Sequence, residues 1–386
     1  MEKLYYKDAY LKQYESTVTE VSSDDKYTYV KLESPLFYPE GGGQCGDRGH
    51  LNSFKVLDTK KAPDGNSVYY LEKEAEGKIK VKETVTQTLD WDHRYEFMKK
   101  HTAQHLLSGL LFNLFKIGTV AVHLGEEYLT IETDREKIDS GTVKKLVLEA
   151  NRAIWESHGI KSFEVSHKEA EELNLRRSIK VEGTVRIVEI EGLDRIACGG
   201  VHVRRTSEIG LITAIGHEQI RGHERICFNC AEKALELALK AENQDGKLCA
   251  LLSCRTEETA QKVASLQTEL TRTKAALGLS EIKNAEAEFN EKREGSLAII
   301  DTDLSVDRFR PLSDKEEPLA LCAIKTEGDR SSWIIILKGY QLDIKSLLSQ
   351  TSARGGGREP VYQGVIETAK KEEFKKLFKE SVSQKS

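Results

Sequence analysis

Two short stretches decide how this chain folds: HTAQHLLSGLL, beginning at His101, and CGGVHVRRTSEIG, beginning at Cys198. The first lies in a segment, about residues 92–116, in which Met98, His101, His105, Gly109 and Phe112 follow one another at three- and four-residue steps. This spacing predicts a helix. The second follows a strand-like alternation over residues 184–190 and opens on a Cys-Gly-Gly turn. We therefore expect a helix and a strand end to present these side chains.

The spacing of the histidines and the cysteine suggests a metal site. His101 and His105 stand four residues apart, so on a helix their imidazoles share one face. Cys198 and His202 have the same spacing, and three imidazoles with one thiolate form a chemically sensible set of zinc ligands. The alternatives are that the spacing of His101 and His105 arises by chance, that Cys198 is an ordinary buried thiol, and that His202 lies at the surface. Thr102 stands where zinc proteases of the HExxH type carry their glutamate base, which argues against a peptidase.

The remaining sequence predicts an α+β fold in four parts. Residues 1–90 are rich in strand signals and contain FYPEGGGQCGDRGHL, so we expect a glycine-rich, β-barrel-like domain. Residues 91–228 form an α+β part that holds the candidate ligands. Residues 229–292 are dominated by Ala, Glu, Lys and Leu, which predicts helices. Residues 293–386 return to an α/β pattern, with a second glycine-rich loop in TSARGGGREP and an amphipathic helix at the end.

One helical stretch shows the spacing of a coiled coil. Val263, Leu266, Leu270 and Leu277 follow a 3-4-7 pattern, with Thr273 at the intervening position. We expect either a homodimer joined through this segment or a helical hairpin packed within one chain. Two to three heptads leave both expectations open.

Composition excludes several classes of protein. Among the 386 residues, no stretch approaches the ~18 apolar residues of a membrane span, so we expect no membrane association. Seven widely spaced cysteines predict reduced thiols or metal ligands in a cytoplasmic protein. No GxxxxGK[ST] motif occurs, and no GxGxxG is followed by a helix, so the sequence offers no nucleotide site of the usual kinds. The formal charge of −5 is uneven, because residues 325–386 hold twelve Lys or Arg against eight Asp or Glu. This end is where we expect contact with nucleic acid.

Together these motifs resemble the editing domain of alanyl-tRNA synthetases and their free-standing relatives, the AlaX trans-editing proteins. HTAQHLLSGLL, CGGVHVRRTSEIG and FYPEGGGQCGDRG occur in the family's order, and GGGREPVYQG resembles the glycine-rich signature of the C-terminal domain that follows the editing domain. The resemblance covers nearly the whole chain and is greatest to the long AlaX class. It implies a zinc editing domain over residues 91–228 and a tRNA-binding domain over residues 293–386. Only about 36 residues precede Phe37, too few for an aminoacylation domain, so we expect no charging of tRNA.

The resemblance also implies a reaction. One zinc ion per chain, on His101, His105, Cys198 and His202, would serve hydrolysis of the ester of tRNA(Ala) wrongly charged with serine or glycine. Zinc can activate water and polarise a carbonyl, yet four protein ligands are typical of a closed structural site. Three solutions stay open: the metal takes a fifth ligand, His202 yields to water, or the metal holds the substrate while water is positioned elsewhere.

Several residues are candidates for contact with the substrate. Thr102 and Gln104 lie between the zinc histidines and could hydrogen-bond a serine hydroxyl, although neither shares the exact helix face of the histidines. His123, in the next strand, is a further pocket candidate, with a surface histidine as the alternative. We include these three as catalytic residues. The predicted substrate-binding residues lie in the two glycine-rich segments: Gly41, Gly42, Gly43 and Gln44, and Arg354, Gly355, Gly356 and Gly357.

Two other functions compete with tRNA editing. One is a non-catalytic tRNA-binding factor that keeps the fold, and the intact ligand pairs argue against it. The other is an enzyme for free aminoacyl esters or small amides, and the C-terminal domain argues against that. Deacylation of mischarged tRNA distinguishes the three.

Overall fold

The computed structural model of the chain describes residues 3–179 and 183–384 and divides the chain into two compact units, 1–245 and 246–386. The strands of the first unit are β1 (Gln13–Ser23), β2 (Tyr27–Leu32), β3 (Gly49–Leu51), β4 (Phe54–Lys61), β5 (Ser67–Glu72), β6 (Thr84–Leu89), β7 (Thr119–Leu124), β8 (Leu129–Thr133), β9 (Ile160–Ser166), β10 (Thr184–Ile190), β11 (Asp194–Ala197), β12 (Ile212–Ile220) and β13 (His223–Cys230). Its helices are α1 (Leu4–Lys7), α2 (Trp91–Phe115), α3 (Ser140–Glu156), α4 (His167–Glu172) and α5 (Ala231–Leu252), which continues into the second unit.

The predicted α+β class and the barrel are both confirmed. Strands β1 to β6 close into an antiparallel barrel in the order β1-β2-β5-β4-β3-β6. Burial alternates along β2 and β5, and the buried side chains, among them Val30, Leu32, Tyr69 and Leu71, fill the interior. This alternation is the physical reason why strand signals dominate the first part of the sequence.

Helix α2 agrees closely with the predicted helix over 92–116. The Asp90 carboxylate accepts a hydrogen bond from the His93 N–H and caps the first turn, and Lys116 ends the helix in the left-handed conformation. Every side chain from Phe97 to Leu111 is buried, polar ones included. This middle part of the helix is therefore enclosed by α3, β7, β8 and β11, and His101 and His105 belong to the interior.

Two sheets complete the first unit. One has the strand order β12-β13-β8-β7 and the other the order β11-β10-β9, and all neighbours are antiparallel. Strand β11 ends at Ala197, so that Cys198 begins the turn that leaves this sheet. The sheet edge thus delivers the cysteine to the buried face of α2.

A buried ion pair ties the glycine-rich segment to α2. Arg94 and Asp47 are both almost fully buried, and the Arg94 Nε lies 2.9 and 2.8 Å from the two carboxylate oxygens. Arg94 also donates from Nη1 to the carbonyl of Ala9 at 3.0 Å and from Nη2 to the carbonyl of Leu36 at 2.9 Å. With its charge paired and its donors used, the arginine fixes the segment around Asp47 against the helix.

The second unit is built on one mixed sheet. Its strands are β14 (Arg293–Glu294), β15 (Leu297–Asp301), β16 (Leu319–Glu327), β17 (Arg330–Lys338), β18 (Tyr340–Gln341), β19 (Arg354–Arg358), β20 (Val361–Glu367) and β21 (Ser383–Gln384), and its helices are α6 (Thr259–Lys292), α7 (Ile344–Thr351) and α8 (Lys371–Ser381). Six strands follow the order β14-β15-β16-β17-β20-β19, in which β15 and β16 pair in parallel and the other neighbours are antiparallel. The end of α6 contributes to the apolar cluster on one face, and α8 to the cluster on the other.

The loop expected at TSARGGGREP is instead an edge strand, β19. Gly355 pairs with Gly364 of β20, and a Cβ on Gly355 would lie 2.6 Å from the ring of Trp333 on β17, the strand on the other side of β20. The glycines are therefore needed because the strands cross a large buried side chain closely. All five residues of β19 are exposed.

The apolar stripe predicted for a coiled coil lies on α6. Its members Val263, Leu266, Leu270 and Leu277 are 42, 44, 55 and 58% exposed. The homodimer stays a prediction, as does the four-part division of the chain. Within the residues that the structure describes, no helix combines the length and apolar character needed to cross a membrane.

Candidate metal centre

Four predicted ligands meet in one cluster. His101 and His105 come from α2, and Cys198 and His202 from the turn after β11. The Cys198 Sγ lies 3.4 Å from the His101 Nε2 and 3.5 Å from the His202 Nε2. The candidate ligand atoms of all four residues lie within 4.8 Å of one another. Residues almost one hundred positions apart in sequence are thus brought to a common centre.

The separations suit a zinc ion. Ligands at the usual zinc distances, in a tetrahedral arrangement, place sulfur and nitrogen roughly 3.6 Å apart. The two sulfur–nitrogen distances in the cluster, 3.4 and 3.5 Å, agree with that value. A His₃Cys donor set therefore fits zinc both in chemistry and in spacing.

The side chain of Gln44 determines how His101 is oriented. The His101 Nδ1 lies 2.8 Å from the Gln44 Oε1, which can only accept, so Nδ1 carries the proton and Nε2 keeps its lone pair for the centre. The same oxygen accepts the Val201 N–H at 3.3 Å. The Gln44 Nε2 is buried, and no hydrogen-bond partner for it exists among the described atoms. Gln44 therefore positions a ligand and retains an unused donor.

Thr102 has the same role for His202. Its hydroxyl donates to the Met98 carbonyl at 2.8 Å, so over 3.2 Å it accepts a hydrogen bond from the His202 Nδ1–H. It also accepts the Val203 N–H at 3.3 Å. The one donor and both acceptor positions of this hydroxyl are then occupied.

A carboxylate lies behind the third imidazole. The Asp194 Oδ2 is 3.9 Å from the His105 Nδ1, and both side chains are buried. Arg176 holds Asp194 by donating from Nε and Nη2 at 2.8 and 3.3 Å. Burial raises the pKa of Asp194, and Arg176 opposes that rise. At this separation the carboxylate and the imidazole are in electrostatic contact without a hydrogen bond, and the His105 Nδ1 has no hydrogen-bond partner among the described atoms.

The Cys-Gly-Gly turn is held by donors from outside it. The Arg186 Nη1 donates to the carbonyls of Cys198 and Gly200, both at 2.8 Å, and the Tyr6 hydroxyl donates to the carbonyl of Gly199 at 2.8 Å. Three consecutive carbonyls are thus anchored. The Gly200 N–H points back to the Cys198 Sγ at 3.3 Å.

Gly200 is required by a close approach. A Cβ at this position would lie 2.0 Å from the Cε1 and 2.3 Å from the Nδ1 of His101. No side chain fits there without displacing that imidazole or the turn.

Burial sets the protonation of the cluster. It lowers the pKa of His101 to about 3, with a further contribution from the positive charge of Arg186. It also lowers the pKa values of His105 and His202 well below the usual range. Burial raises the pKa of the Cys198 thiol to about 11. The imidazoles are therefore neutral and ready to ligate, and a cation at the centre is what would favour the thiolate.

The other predicted site residues have different surroundings. The Gln104 Nε2 donates to Ser108 at 2.9 Å, so this side chain is engaged along the helix. His123 is exposed on β7, and none of the contacts described for residues 3–179 and 183–384 joins it to the cluster. Gly42 and Gly43 have φ of 62° and 85° and form the turn that brings Gln44 to His101. Arg354 and the neighbouring glycines lie in β19 of the second unit.

Sequence reasoning missed Tyr6, Arg176, Arg186 and Asp194. Arg186 does leave a trace, because it interrupts an otherwise apolar alternation in TVRIVEI. The other three carry no local signal, since each acts on a segment distant in the chain.

Comparison with known proteins gives a consistent family. Residues 185–226 match the family described as the threonyl and alanyl tRNA synthetase second additional domain. The chain is 34% identical over 242 residues to alanyl-tRNA editing protein AlaX-L of Pyrococcus horikoshii, which covers 61% of this chain and 59% of AlaX-L. It is 27% identical over 376 residues to the alanine–tRNA ligase of Ignicoccus hospitalis, covering 92% of this chain and 40% of the ligase. The chain thus spans about three fifths of one relative and two fifths of the other.

A shorter relative is covered almost completely. AlaX-M of Methanosarcina mazei is 35% identical over 250 residues, which are 60% of this chain and 98% of AlaX-M. Because a relative above 30% identity is matched over nearly its whole length, the chain belongs to the family of AlaX alanyl-tRNA editing proteins.

Proposed function

We propose that this chain hydrolyses the ester of tRNA(Ala) wrongly charged with serine or glycine, with one zinc ion bound by His101, His105, Cys198 and His202. The observation that carries the proposal is the meeting of these four ligands in one buried cluster. A charged tRNA as substrate agrees with the cytoplasmic location that the sequence predicts.

The chain's own residues prepare the centre. Gln44 and Thr102 hold the protons of two imidazoles on Nδ1, so that both Nε2 atoms face the cluster. Arg186 and Tyr6 fix the turn that carries the thiol. When bound, zinc would polarise the ester carbonyl and lower the pKa of a water molecule.

Discrimination against alanine would depend on a hydrogen bond to the serine hydroxyl, since a site built for a hydroxyl rejects the analogue without it. The hydroxyl of Thr102 is fully used within the protein, and Gln104 is paired with Ser108. The Gln44 Nε2, by contrast, is a buried amide donor with no hydrogen-bond partner among the described atoms, and its own side-chain oxygen already faces the cluster. We therefore assign the contact with the substrate to Gln44 and a positioning role to Thr102.

Gln44→Glu tests this assignment. The variant keeps an oxygen for His101 and replaces the Nε2 donor by an acceptor. We expect zinc content to be retained and hydrolysis of Ser-tRNA(Ala) to fall on the order of 100-fold. Wild-type activity would remove Gln44 from the substrate contacts, and loss of zinc would make its role structural.

The main test is deacylation of tRNA(Ala) charged with serine, glycine or alanine, with metal analysis on the same sample. We expect about one zinc per chain, cleavage of the first two esters and sparing of the third. Cys198→Ala should lose zinc and activity, whereas Cys227→Ala, which removes a buried thiol outside the cluster, should keep both. Binding of tRNA without cleavage of any ester would favour the non-catalytic factor.

Two further parts of the proposal concern partners. Arg354→Glu on the exposed strand β19 should weaken binding of tRNA and reduce the slope of log Kd against log salt by about one. Lys376→Glu on the exposed face of α8 is the control, for which we expect little change.

For the homodimer through α6, Leu270→Glu should convert dimer to monomer in light scattering, and Thr271→Glu should not.

A further inference from the structure

A cleft of about 380 Å³ opens beside the metal centre in the first unit. It is lined by α1 and the three residues that follow it, by β9 and β10, and by the chain segment from His202 to Arg204. Its charged lining consists of Lys7, Arg186 and Arg204 against the single carboxylate of Asp8. The cleft is therefore positively charged and ends at a ligand of the cluster.

One wall of the cleft carries a fixed, planar cation. The guanidinium of Arg204 lies over the ring of Tyr10, 4.1 Å from its centroid, and donates from Nη2 to Asp8 at 3.2 Å. The Tyr10 hydroxyl accepts the backbone N–H of Arg204 at 3.0 Å and donates to Glu208 at 2.6 Å. The arginine side chain is nevertheless 66% exposed. It is held flat on one side and open on the other.

A second pair of the same kind lies deeper. The guanidinium of Arg186 is 4.5 Å from the centroid of the Tyr6 ring, and its Nη1 is bonded to the Cys-Gly-Gly turn. Two tyrosine–arginine pairs thus line a path that reaches His202. A positive groove interleaved with planar groups is the usual surface for a single-stranded nucleic acid.

We propose that this cleft binds the unpaired nucleotides that precede the aminoacylated nucleotide of the RNA, with one base stacked on the open face of the Arg204 guanidinium. The inference rests on the proposed function, because the ester must lie at the metal centre. Arg204 follows His202 by two residues, at most ~7 Å of chain, so a nucleotide next to the reacting one lies within its reach. Bases stack on guanidinium planes in sequence-tolerant contacts of this kind.

The test is a double-mutant cycle between protein and RNA. The substrates are acceptor-stem hairpins with an unpaired 3′ end charged with serine, either intact or with an abasic penultimate nucleotide. For the wild-type chain we expect kcat/KM to fall about tenfold when the base is removed. For Arg204→Ala we expect a tenfold loss on the intact hairpin, chiefly in KM, and no further loss on the abasic one. Arg152→Ala, an exposed arginine on α3 outside the cleft, should behave as wild type.

If the losses in kcat/KM caused by Arg204→Ala and by the abasic nucleotide multiply when the two are combined, the proposed stacking is wrong. A fall in zinc content of Arg204→Ala would also overturn it, because the residue would then act on the fold. If the wild-type chain cleaves no seryl ester, the proposed function fails. The role of the cleft can then still be tested by measuring the Kd of the same four protein–RNA combinations, with an uncleavable seryl amide of each hairpin.

Discussion

Replacing Gly200 by alanine should remove the metal from a chain that still folds. The added Cβ would lie 2.0 Å from the Cε1 of His101 and 3.1 Å from the Gln44 Oε1. Carbon atoms pack at about 3.5 Å, so the imidazole or the turn must move by more than 1 Å. The imidazole cannot keep both its contact with Gln44 and its place beside Cys198.

The size of the effect follows from the tolerance of a metal site. Ligand distances vary by about 0.2 Å, which is far less than the required movement. Loss of an outer contact alone weakens metal binding roughly 10- to 100-fold, so loss of His101 itself should weaken it by at least about 100-fold. Overpacking should also destabilise the fold by about 1–3 kcal/mol.

The assay is a competition for zinc between the protein and a chromogenic chelator, with chemical denaturation run in parallel. The control is Gly199→Ala, whose Cβ would meet only the end of the Tyr6 side chain, at 3.3 Å. We expect Gly199→Ala to bind zinc within a few-fold of the wild-type chain. Wild-type zinc affinity in folded Gly200→Ala would refute the assignment of His101 as a ligand.

Three further outcomes can be checked with the same methods. Asp194→Ala should lower zinc affinity about 10- to 100-fold in the chelator competition, because the imidazole of His105 loses the carboxylate behind it; an unchanged affinity would make Asp194 a partner of its arginine only. Asp47→Ala should cost about 3–5 kcal/mol in urea unfolding, because Arg94 keeps its charge in a buried site; a cost below 1 kcal/mol would mean that water reaches the arginine. Zinc at about 100 times its Kd should raise the melting temperature of the first unit by about 5–10 °C after chelator treatment, and Cys198→Ala should show no such rise.

Local patterns in the sequence predicted the elements that carry the site. The periodicity around His101 gave α2 within a residue or two at each end, and the alternation before Cys198 gave β10. Residue chemistry then sufficed to pick the four side chains that meet in the cluster, because few side chains bind zinc and two spaced pairs of them occur. These signals are local, and so they survive without knowledge of the fold.

The remaining parts of the site depend on contacts between distant segments. Gln44 meets His101 across 57 positions, and Thr102 meets His202 across 100. Thr102 lies between two candidate ligands and therefore suggested a substrate contact, yet its hydroxyl is occupied by the nearby Met98 carbonyl and by two groups about 100 positions away. Strand β19 was expected to be a loop since glycine is rare in strands; the close approach of the β20 backbone and of the buried Trp333 ring to Gly355 explains why glycine stands there.

The origin of the ligands makes the metal centre a property of the whole first unit. The histidines of α2 meet the thiol only if the turn after β11 docks, and His101 keeps its orientation only if the glycine-rich turn brings Gln44 to it. That turn lies in the segment that Asp47 anchors to Arg94 on the same helix, three residues after Gln44. A change at the ion pair of Asp47 and Arg94 should therefore reach the cluster, because only two residues separate Asp47 from Gln44, which holds His101. At the proposed zinc site, metal affinity should therefore measure how well the barrel segment is seated on α2, and metal binding and folding of the unit should stabilise each other.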